Sequence, residues 1–491
     1  MWQQQIKSKM AADIFQCKHI NIIVYCLVAL FGIGSWIDIN GLWVELPVMV
    51  PHLPEGWKLP SYLSVIIQIA NVGPLLVTIV YVCCKKYMKE HFAIYAVLGI
   101  GAASCLLLSF FWKETSYVAG GMHSTALLVL QFFLALTDCT TSVLFLPFMA
   151  TFKPEYMTGY FIGEGLSGLL PSVVALGQGV GQLTCTNVSF FNATSNTTSH
   201  SIQPIYHNIS FTVEEFFYFL CIMLVISIVA FTILNYTPYC KQEKVIDKDQ
   251  EQESHEDSDM TVSYELNSDN SILALSPEGN QDIFVNPSSM NSRSSLIKKN
   301  KKLAIKSQSG EVSHIQVQEI LPNGTFIFCL VITAWVNCLS NGILPSLQTY
   351  SSLPYGINIY HLSATLGNIA NPLACSVAFF ITVKSNFVIS TMTFFGSSLA
   401  GYIIFLAAES PRPPLYNTTE GSVLVVAAWI LVVFILTFVK VSIAGVFRQE
   451  GKRALLWIGA ISQVGSAIGA IITFVLVNVY EVFESAPSCS F

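Results

Sequence analysis

The chain has 491 residues, of which 53% are hydrophobic and only 11% are charged, and its formal net charge is −6. Soluble proteins carry roughly 25% charged residues, so the composition excludes a water-soluble assembly of several domains. Apolar stretches of about 20 residues, long enough to cross a bilayer as helices, recur along nearly the whole sequence. The chain is therefore predicted to be an all-α polytopic membrane protein.

Eleven of these stretches are predicted to be transmembrane helices. In chain order they are 20–40, 61–83, 91–112, 124–147, 159–181, 213–235, 324–345, 358–383, 386–408, 421–446 and 454–480. The first lacks a small-residue cleavage site after its apolar run, so it is interpreted as a retained span and not as a signal peptide. The predicted organisation is an N-terminal segment 1–19, a six-helix bundle 20–237, a loop 238–321, a five-helix bundle 322–481 and a tail 482–491.

Two patterns predict the orientation of the chain. A cytoplasmic N-terminus places 20 of the 24 Lys and Arg residues on the cytoplasmic side, as the positive-inside rule requires. The tail 482–491 is then extracellular. Five Asn-X-Ser/Thr glycosylation acceptors fall in the loop 182–212 and near residues 410–420, which the same orientation places outside. They are Asn187, Asn192, Asn196, Asn208 and Asn417. Asn235 and Asn323 match the pattern at cytoplasmic helix ends and are expected to be unmodified. Glycosylation implies the secretory pathway, so a plasma-membrane location is predicted.

The loop 238–321 is rich in Ser, Asp, Glu, Asn and Gln. Such a segment buries too little apolar surface to fold alone, so a disordered cytoplasmic loop is predicted. Its basic run around 298–306 leaves two interpretations open, namely contact with anionic lipid and a solvated run of charges.

A weak self-similarity relates the two bundles at an offset of about 300 residues. Asn40-Gly41 at the end of the first span matches Asn341-Gly342 in the seventh, and Ile69-Ala70-Asn71 matches Ile369-Ala370-Asn371. Parallel repeats joined by a long loop are typical of major-facilitator-type carriers, in which two bundles rock about a central site. Eleven spans predict a 6+5 arrangement that resembles equilibrative nucleoside transporters.

Ionisable residues inside spans indicate a functional layer, because they are costly unless they face a cavity or a partner. Asp138 and Lys440 occupy equivalent positions of the two repeats, so an ion pair across the inner cavity is predicted. Glu164 enters the same layer, and two acids facing one lysine are not both compensated. The hypothesis is that protonation of Asp138 or Glu164 speeds transport at acid pH. A purely structural ion pair is the alternative.

The outer half of the first helix is aromatic and rich in amides. Trp36, Asn40 and Trp43 follow helical spacing and are expected to share a face. Further predicted substrate-binding residues are Glu45, Asn341, Gln348, Tyr350 and Asn368. Aromatic rings mixed with neutral amides suit a flat, uncharged solute, whereas a phosphate calls for clustered Arg or Lys. For Trp43, a role as a lipid-interface anchor remains equally open.

Several segments resemble those of vertebrate riboflavin transporters, solute carrier family 52. They are Asn40-Gly-Leu-Trp-Val-Glu-Leu-Pro47, Leu53-Pro-Glu-Gly-Trp-Lys-Leu-Pro-Ser-Tyr62, Gly163-Glu-Gly-Leu-Ser-Gly-Leu-Leu-Pro171, Asn341-Gly-Ile-Leu-Pro-Ser-Leu-Gln-Thr-Tyr350 and Ala370-Asn-Pro-Leu373. The resemblance implies riboflavin as the solute, and Asp138 and Glu164 resemble the acid-stimulated intestinal member. Asp38 departs from it, since a neutral residue is expected there.

The resulting prediction is a riboflavin carrier of the plasma membrane, with the lipid bilayer as its environment. No catalytic residue, metal or cofactor is expected, riboflavin being the transported substrate, and neither is a nucleic-acid partner. The intestinal resemblance leaves an apical location open, and no oligomeric state is predicted. The alternatives are a nucleoside-type carrier for another flat polar solute and, in a different class, a cell-surface receptor.

Overall fold

The fold is that of an all-helical membrane protein. A computed structural model describes residues 21–83, 90–118, 120–180, 182–192, 197–207, 209–244, 304–306, 312–314, 322–381, 383, 385–448 and 452–485. Within these ranges nine helices are long and apolar enough to cross a membrane, and a bent pair, Ile22–Ile33 with Ile37–His52, adds a tenth. The predicted span 358–383 is a 24-residue helix, Ile357–Phe380, which is too polar to be counted with them. The number eleven and the 6+5 arrangement therefore remain predictions.

The N-terminal half, residues 21–244, contains eight long helices. They are α1 (Ile22–Ile33), α2 (Ile37–Met49), α3 (Leu59–Ala70), α4 (Val72–Cys83), α5 (Glu90–Phe111), α6 (Thr125–Ala150), α7 (Pro154–Gln178) and α8 (Val213–Tyr236), followed by the short α9 (Pro238–Lys241). Local sequence explains several of the helix starts. Pro154 occupies the first position of α7, where its missing N–H costs nothing. A reciprocal capping box of Thr212 and Glu215 begins α8.

The C-terminal half, residues 322–485, contains six helices and one π-helical turn. They are α10 (Asn323–Asn337), the π turn (Cys338–Ile343), α11 (Leu344–Ser352), α12 (Ile357–Phe380), α13 (Asn386–Ala408), α14 (Thr419–Arg448) and α15 (Lys452–Asn478). Gln348 and Tyr350 therefore lie inside α11, so the predicted end of the seventh span at residue 345 is wrong. The π turn allows the helix to continue past Asn341-Gly342.

Three antiparallel strand pairs lie outside the helices. They are β1 (Ser116–Val118) with β2 (Gly121–His123), β3 (Gln182–Asn192) with β4 (Thr197–His207), and β5 (Ala304–Lys306) with β6 (Val312–His314). Asn187 and Asn192 lie on β3 and Asn417 is exposed, whereas Asn196 and Asn208 lie outside the described residues.

The described parts of the loop 238–321 contain regular secondary structure. Helix α9 and the pair β5–β6 fall within it, which corrects the prediction for these residues. At its start, backbone pairing of Phe152 with Lys244 and the Lys153–Glu243 ion pair hold residues 241–244 against the end of α6. The N-terminal segment 1–19 and most of this loop lie outside the described residues.

Both halves bring their first helix against a later one through glycine. A Cβ atom on Gly163 of α7 would overlap the Ala29 carbonyl of α1, and one on Gly465 of α15 would overlap the Ala334 carbonyl of α10. Gly163 and Gly465 are 302 positions apart, and so are Gly32, which packs against Gly163, and Ala334, which packs against Gly465. Small residues let membrane helices approach closely. The sequence repeat thus corresponds to a repeated helix contact.

The two halves are tied together at one end, here called the sealed end. Thr349 Oγ1 donates to the Trp57 carbonyl at 2.7 Å, and Asn478 Nδ2 donates to Ser61 Oγ at 2.8 Å. Lys58 also pairs with Glu481. Tyr350 packs edge-on against Trp57, and His361 lies against the backbone of Ala175. Among the described residues, all the hydrogen bonds and ion pairs found between the halves lie toward this end.

Candidate functional site

The first long helix of each half is interrupted near its middle. Helices α1 and α2 meet at Gly34-Ser35-Trp36 with a bend of 53°, and α10 continues into α11 through the π turn. Trp36 is the N-cap residue of α2, and its carbonyl accepts the Asn40 N–H at 3.1 Å. Interruptions of this kind free backbone groups and are frequent at functional sites. The sequence predicted a continuous first span, so this break is a correction.

In the N-terminal half, two acids meet directly below that break. Asp38 lies in the first turn of α2 and Asp138 near the middle of α6, and both side chains are 0% exposed. The N–H of Ile39 donates to Asp38 Oδ1 at 2.8 Å and to Asp138 Oδ2 at 3.3 Å. Thr141 of the same helix donates to the carbonyl of Ser35. Asp138 is thus bound within its own half.

In the C-terminal half, Lys440 of α14 contacts the π turn. Its Nζ donates to Ser340 Oγ at 3.2 Å and to Asn341 Oδ1 at 3.4 Å. The Asn341 amide nitrogen in turn donates to Asn337 Oδ1 and Ser466 Oγ. Among the described residues Lys440 forms no salt bridge, so the predicted Asp138–Lys440 ion pair is not formed.

Glu164 and Lys440 nevertheless belong to one region. Cys375 of α12 interacts electrostatically with both of them, and a Cβ atom on Gly165 would come 3.5 Å from Pro372. Both side chains are half-buried. An acid of α7 and a lysine of α14 therefore flank the same stretch of α12, between the two halves. Glu164 and Lys440 therefore form the charged layer between the halves, and Asp138 is not part of it.

The Asn40 side chain of α2 and the main chain of α12 at Asn368 come close to each other around Gly168 of α7. A Cβ atom there would come 3.5 Å from Asn40 Nδ2 and 3.8 Å from the Asn368 carbonyl. Trp36, Asn40 and Trp43 are all half-buried, and Trp43 packs against the N-terminal core. The Asn40 amide of α2 thus lies close to the main chain of α12, between the two halves.

Three predicted binding residues lie elsewhere. Glu45 is fully buried and accepts from Gln178 Nε2 at 2.9 Å, which places it inside the N-terminal half. Gln348 and Tyr350 are buried in the sealed end, where Tyr350 packs against Trp57 and Phe483. All three therefore lie away from the residues here called the central surface, which are half-buried or exposed: Trp36, Asn40, Asn341, Asn368 and Lys440.

Residues that the sequence reasoning missed complete the site. Ser462 and Ser466 of α15 contact the amides of Asn337 and Asn341, and Thr349 closes the sealed end through Trp57. A signal existed for Ser466, because it lies 302 positions after Glu164. Among the described residues no group of three or more His, Cys, Asp or Glu side chains is placed to hold a metal ion.

Three comparisons relate this geometry to known proteins. The family model described as "Solute carrier family 52, riboflavin transporter" matches residues 20–485. Riboflavin transporter 2 of Salmo salar is 41% identical over 96% of this chain and 99% of its own length. The human solute carrier family 52 riboflavin transporter member 3 is 40% identical over 95% and 98%. Among solved structures, a D-xylose–proton symporter aligns over 92% of this chain and 88% of its own with a TM-score of 0.51 and 10% identity, a likeness of fold alone.

Proposed function

Since the chain belongs to solute carrier family 52, the riboflavin transporters, we propose that it takes up riboflavin across the plasma membrane by alternating access. The same membership makes it a transporter and not an enzyme. The observation that carries the proposal is a family match over nearly the whole length together with two helical halves that are tied at one end. A receptor has no need of such a divided bundle.

The sealed end supports alternating access. Thr349–Trp57 and Asn478–Ser61 are short hydrogen bonds between the halves, whereas Glu164 and Lys440 lie further from that end without an ion pair. A carrier of the major-facilitator type exchanges closing contacts between its two ends as its halves rock. With the predicted cytoplasmic N-terminus, the sealed end faces outward and this conformation releases solute to the cytoplasm.

The central surface suits riboflavin chemically. The isoalloxazine ring is flat and uncharged at neutral pH, so it stacks on an indole such as Trp36. Its ring carbonyls accept hydrogen bonds, and the Lys440 ammonium, which uses two of its three N–H groups on Ser340 and Asn341, donates one. The ribityl chain carries hydroxyl groups, which pair with neutral amides such as Asn40 and Asn368. A hydrogen-bonding site of this kind discriminates strongly against analogues that lack the matching group.

Acid-stimulated uptake is the second part of the proposal. Asp138 is fully buried, and Glu164 lies half-buried beside the interface, and neither forms a salt bridge among the described residues. A buried acid without a cation favours its neutral form. Protonation at acid pH then lowers the cost of moving these groups through the membrane interior, so the halves exchange conformations faster.

Uptake of labelled riboflavin by cells expressing the chain tests the proposal. Uptake above mock-transfected cells, blocked by lumiflavin and not by uridine, is expected. Block by uridine and not by lumiflavin would show a nucleoside-type carrier instead. The double variant Ser61→Cys with Asn478→Cys tests alternating access. A short, reducible bifunctional thiol reagent should abolish its uptake, and reduction should restore it. Each single cysteine variant serves as the control, and undiminished uptake by the cross-linked pair would refute the mechanism.

A further inference from the structure

The carboxyl groups of Asp38 and Asp138 form a closed pair inside the N-terminal half. Neither side chain has any exposed surface, and both accept from the one N–H of Ile39. Their remaining oxygens, Asp38 Oδ2 and Asp138 Oδ1, are buried without a hydrogen-bond partner. Buried carboxylate oxygens normally accept hydrogen bonds. No donor among the described residues reaches these two oxygens, so they require another partner.

Among the described residues, no cation compensates the pair. In the part of the chain that the structure describes, its titratable neighbours are the thiols of Cys105 on α5 and Cys139 on α6, and Cys221 of α8 lies against Cys105. Helices α3, α4, α7 and α12 bring no titratable group into electrostatic contact with either acid. Gly101 allows α5 to approach, since a Cβ atom there would be 3.2 Å from Asp38 Oδ2. The surroundings are thus uncharged and tightly packed.

The end of α2 stabilises one negative charge at this place but not two. Asp38 lies in the first turn of that 13-residue helix, where unsatisfied N–H groups and the helix dipole favour an anion. Two carboxylates in a buried site repel each other strongly, and such pairs share a single proton. Electrostatics therefore favours one carboxyl and one carboxylate.

We propose that Asp38 and Asp138 together form a proton-binding site that holds one shared proton between α2 and α6. The site lies directly after the break of the first span, where the chain direction changes by 53°. Adding a second proton or removing the first changes the charge beside this break. The inference deepens the acid stimulation proposed above, but its test does not depend on which solute is carried.

A metal cation fits the pair less well than a proton does. Hard cations such as Ca²⁺ and Mg²⁺ take six or more oxygen ligands. The described neighbours offer two carboxyl groups and thiols, and no group of three or more His, Cys, Asp or Glu side chains is placed for a metal among the described residues. A proton requires only the two carboxyl oxygens that already lack partners.

Infrared spectroscopy of the purified protein tests the site directly. The carbonyl stretching band of protonated carboxyl groups is measured at neutral pH in the wild type, Asp38→Asn, Asp138→Asn and the double variant. Each single variant leaves one acid and adds an amide donor, and the end of α2 stabilises one negative charge, so the remaining acid ionises. All three variants should therefore lose the same amplitude, equal to one carboxyl group.

Two controls keep the result interpretable. Glu420→Gln removes an exposed acid and should leave the band unchanged. Asp38→Ser retains an acceptor for the first turn of α2, so it should fold if Asp38→Asn does not, and it should lose the same amplitude. A wild-type band that single variants leave intact would overturn the proposal. So would additive loss in the double variant, which shows two separate protons, or a band that disappears when sodium replaces choline.

Discussion

The two halves of the molecule place a charged side chain at the same point and surround it differently. In the N-terminal half Asp138 meets Asp38 and the N–H of Ile39, and in the C-terminal half Lys440 meets Ser340 and Asn341. Asp138 and Lys440 are 302 positions apart, and so are their respective partners. Each half therefore joins a charged residue of its fourth predicted span to the interruption of its first.

The difference between the two sites lies in their access. The Asp38–Asp138 pair is completely buried within its half, whereas Asn341 is exposed beside the half-buried Lys440. The same framework thus holds a closed acidic site in one half and an open basic site in the other. We infer a division of labour in which the N-terminal site responds to protons and the C-terminal site meets the solute.

The largest expected effect comes from breaking the helix contact that both halves share. Gly163→Ala and Gly465→Ala each drive a methyl group into a backbone carbonyl, of Ala29 and Ala334 respectively. Overpacking of this kind costs about 1–3 kcal/mol, so both variants should yield much less folded protein and melt at lower temperature. Size-exclusion chromatography after heating measures both the yield of folded protein and the melting temperature.

Gly401→Ala is the matched control, because Gly401 lies in a membrane helix and a Cβ atom there would meet nothing within 4 Å. Its melting temperature should equal that of the wild type. If Gly163→Ala is destabilised and Gly465→Ala is not, the equivalence of the two halves at this contact is wrong.

Sequence reasoning found the equivalent positions but not the directions of their side chains. The offset of about 300 residues correctly related Asp138 to Lys440, and the helical content and the family were predictable from hydropathy and motifs. The predicted ion pair failed because a linear offset says nothing about which neighbour a side chain faces. Asp138 faces Asp38 inside the N-terminal half and not Lys440. The helix break at Trp36 places Asp38 there, and no proline at this position predicts the break.

The second prediction concerns the open basic site. Lys440→Ala removes the ammonium that contacts Ser340 and Asn341 and that we assign to the solute. Loss of one charge-assisted hydrogen bond costs about 1.5–3 kcal/mol, so riboflavin uptake should fall by about tenfold or more, measured at equal surface expression. Lys153→Ala, which removes a lysine at the end opposite the sealed end, is the control and should retain uptake within about twofold. Normal uptake by Lys440→Ala would show that the solute does not bind at Lys440.

The third prediction concerns the closed acidic site and Glu164. Asparagine and glutamine imitate protonated acids, so Glu164→Gln and the double variant Asp38→Asn with Asp138→Asn should take up riboflavin at neutral pH nearly as fast as the wild type does at acid pH. Acid stimulation of about threefold, a barrier change below 1 kcal/mol, should then disappear in at least one of them. Uptake between pH 5 and pH 8 measures this. If the pH dependence of uptake is unchanged in both variants, these acids do not cause the acid stimulation.

The smallest effect is expected at the end opposite the sealed end, where the halves differ in a surface ion pair. Lys153 donates to Glu243 at 2.6 Å, whereas the position 302 residues after Lys153 is Leu455. The hydrogen bond from Lys153 lowers the pKa of Glu243 below its ordinary value of 4.5. A lowered folded-state pKa stabilises the protein above the unfolded-state pKa, and the stabilisation is lost as pH falls through the folded-state pKa.

Glu243→Gln should therefore cost about 0.2–1 kcal/mol at pH 7, the range of exposed ion pairs, and almost nothing below the lowered pKa of Glu243. Thermal unfolding of both proteins at neutral pH and near pH 3 compares the two conditions. Glu409→Gln controls for the change in net charge, because it removes an exposed acid at the sealed end that forms no ion pair among the described residues. A difference between wild type and Glu243→Gln that persists at low pH would mean that packing of residues 241–244, and not the charge of Glu243, holds this segment against α6.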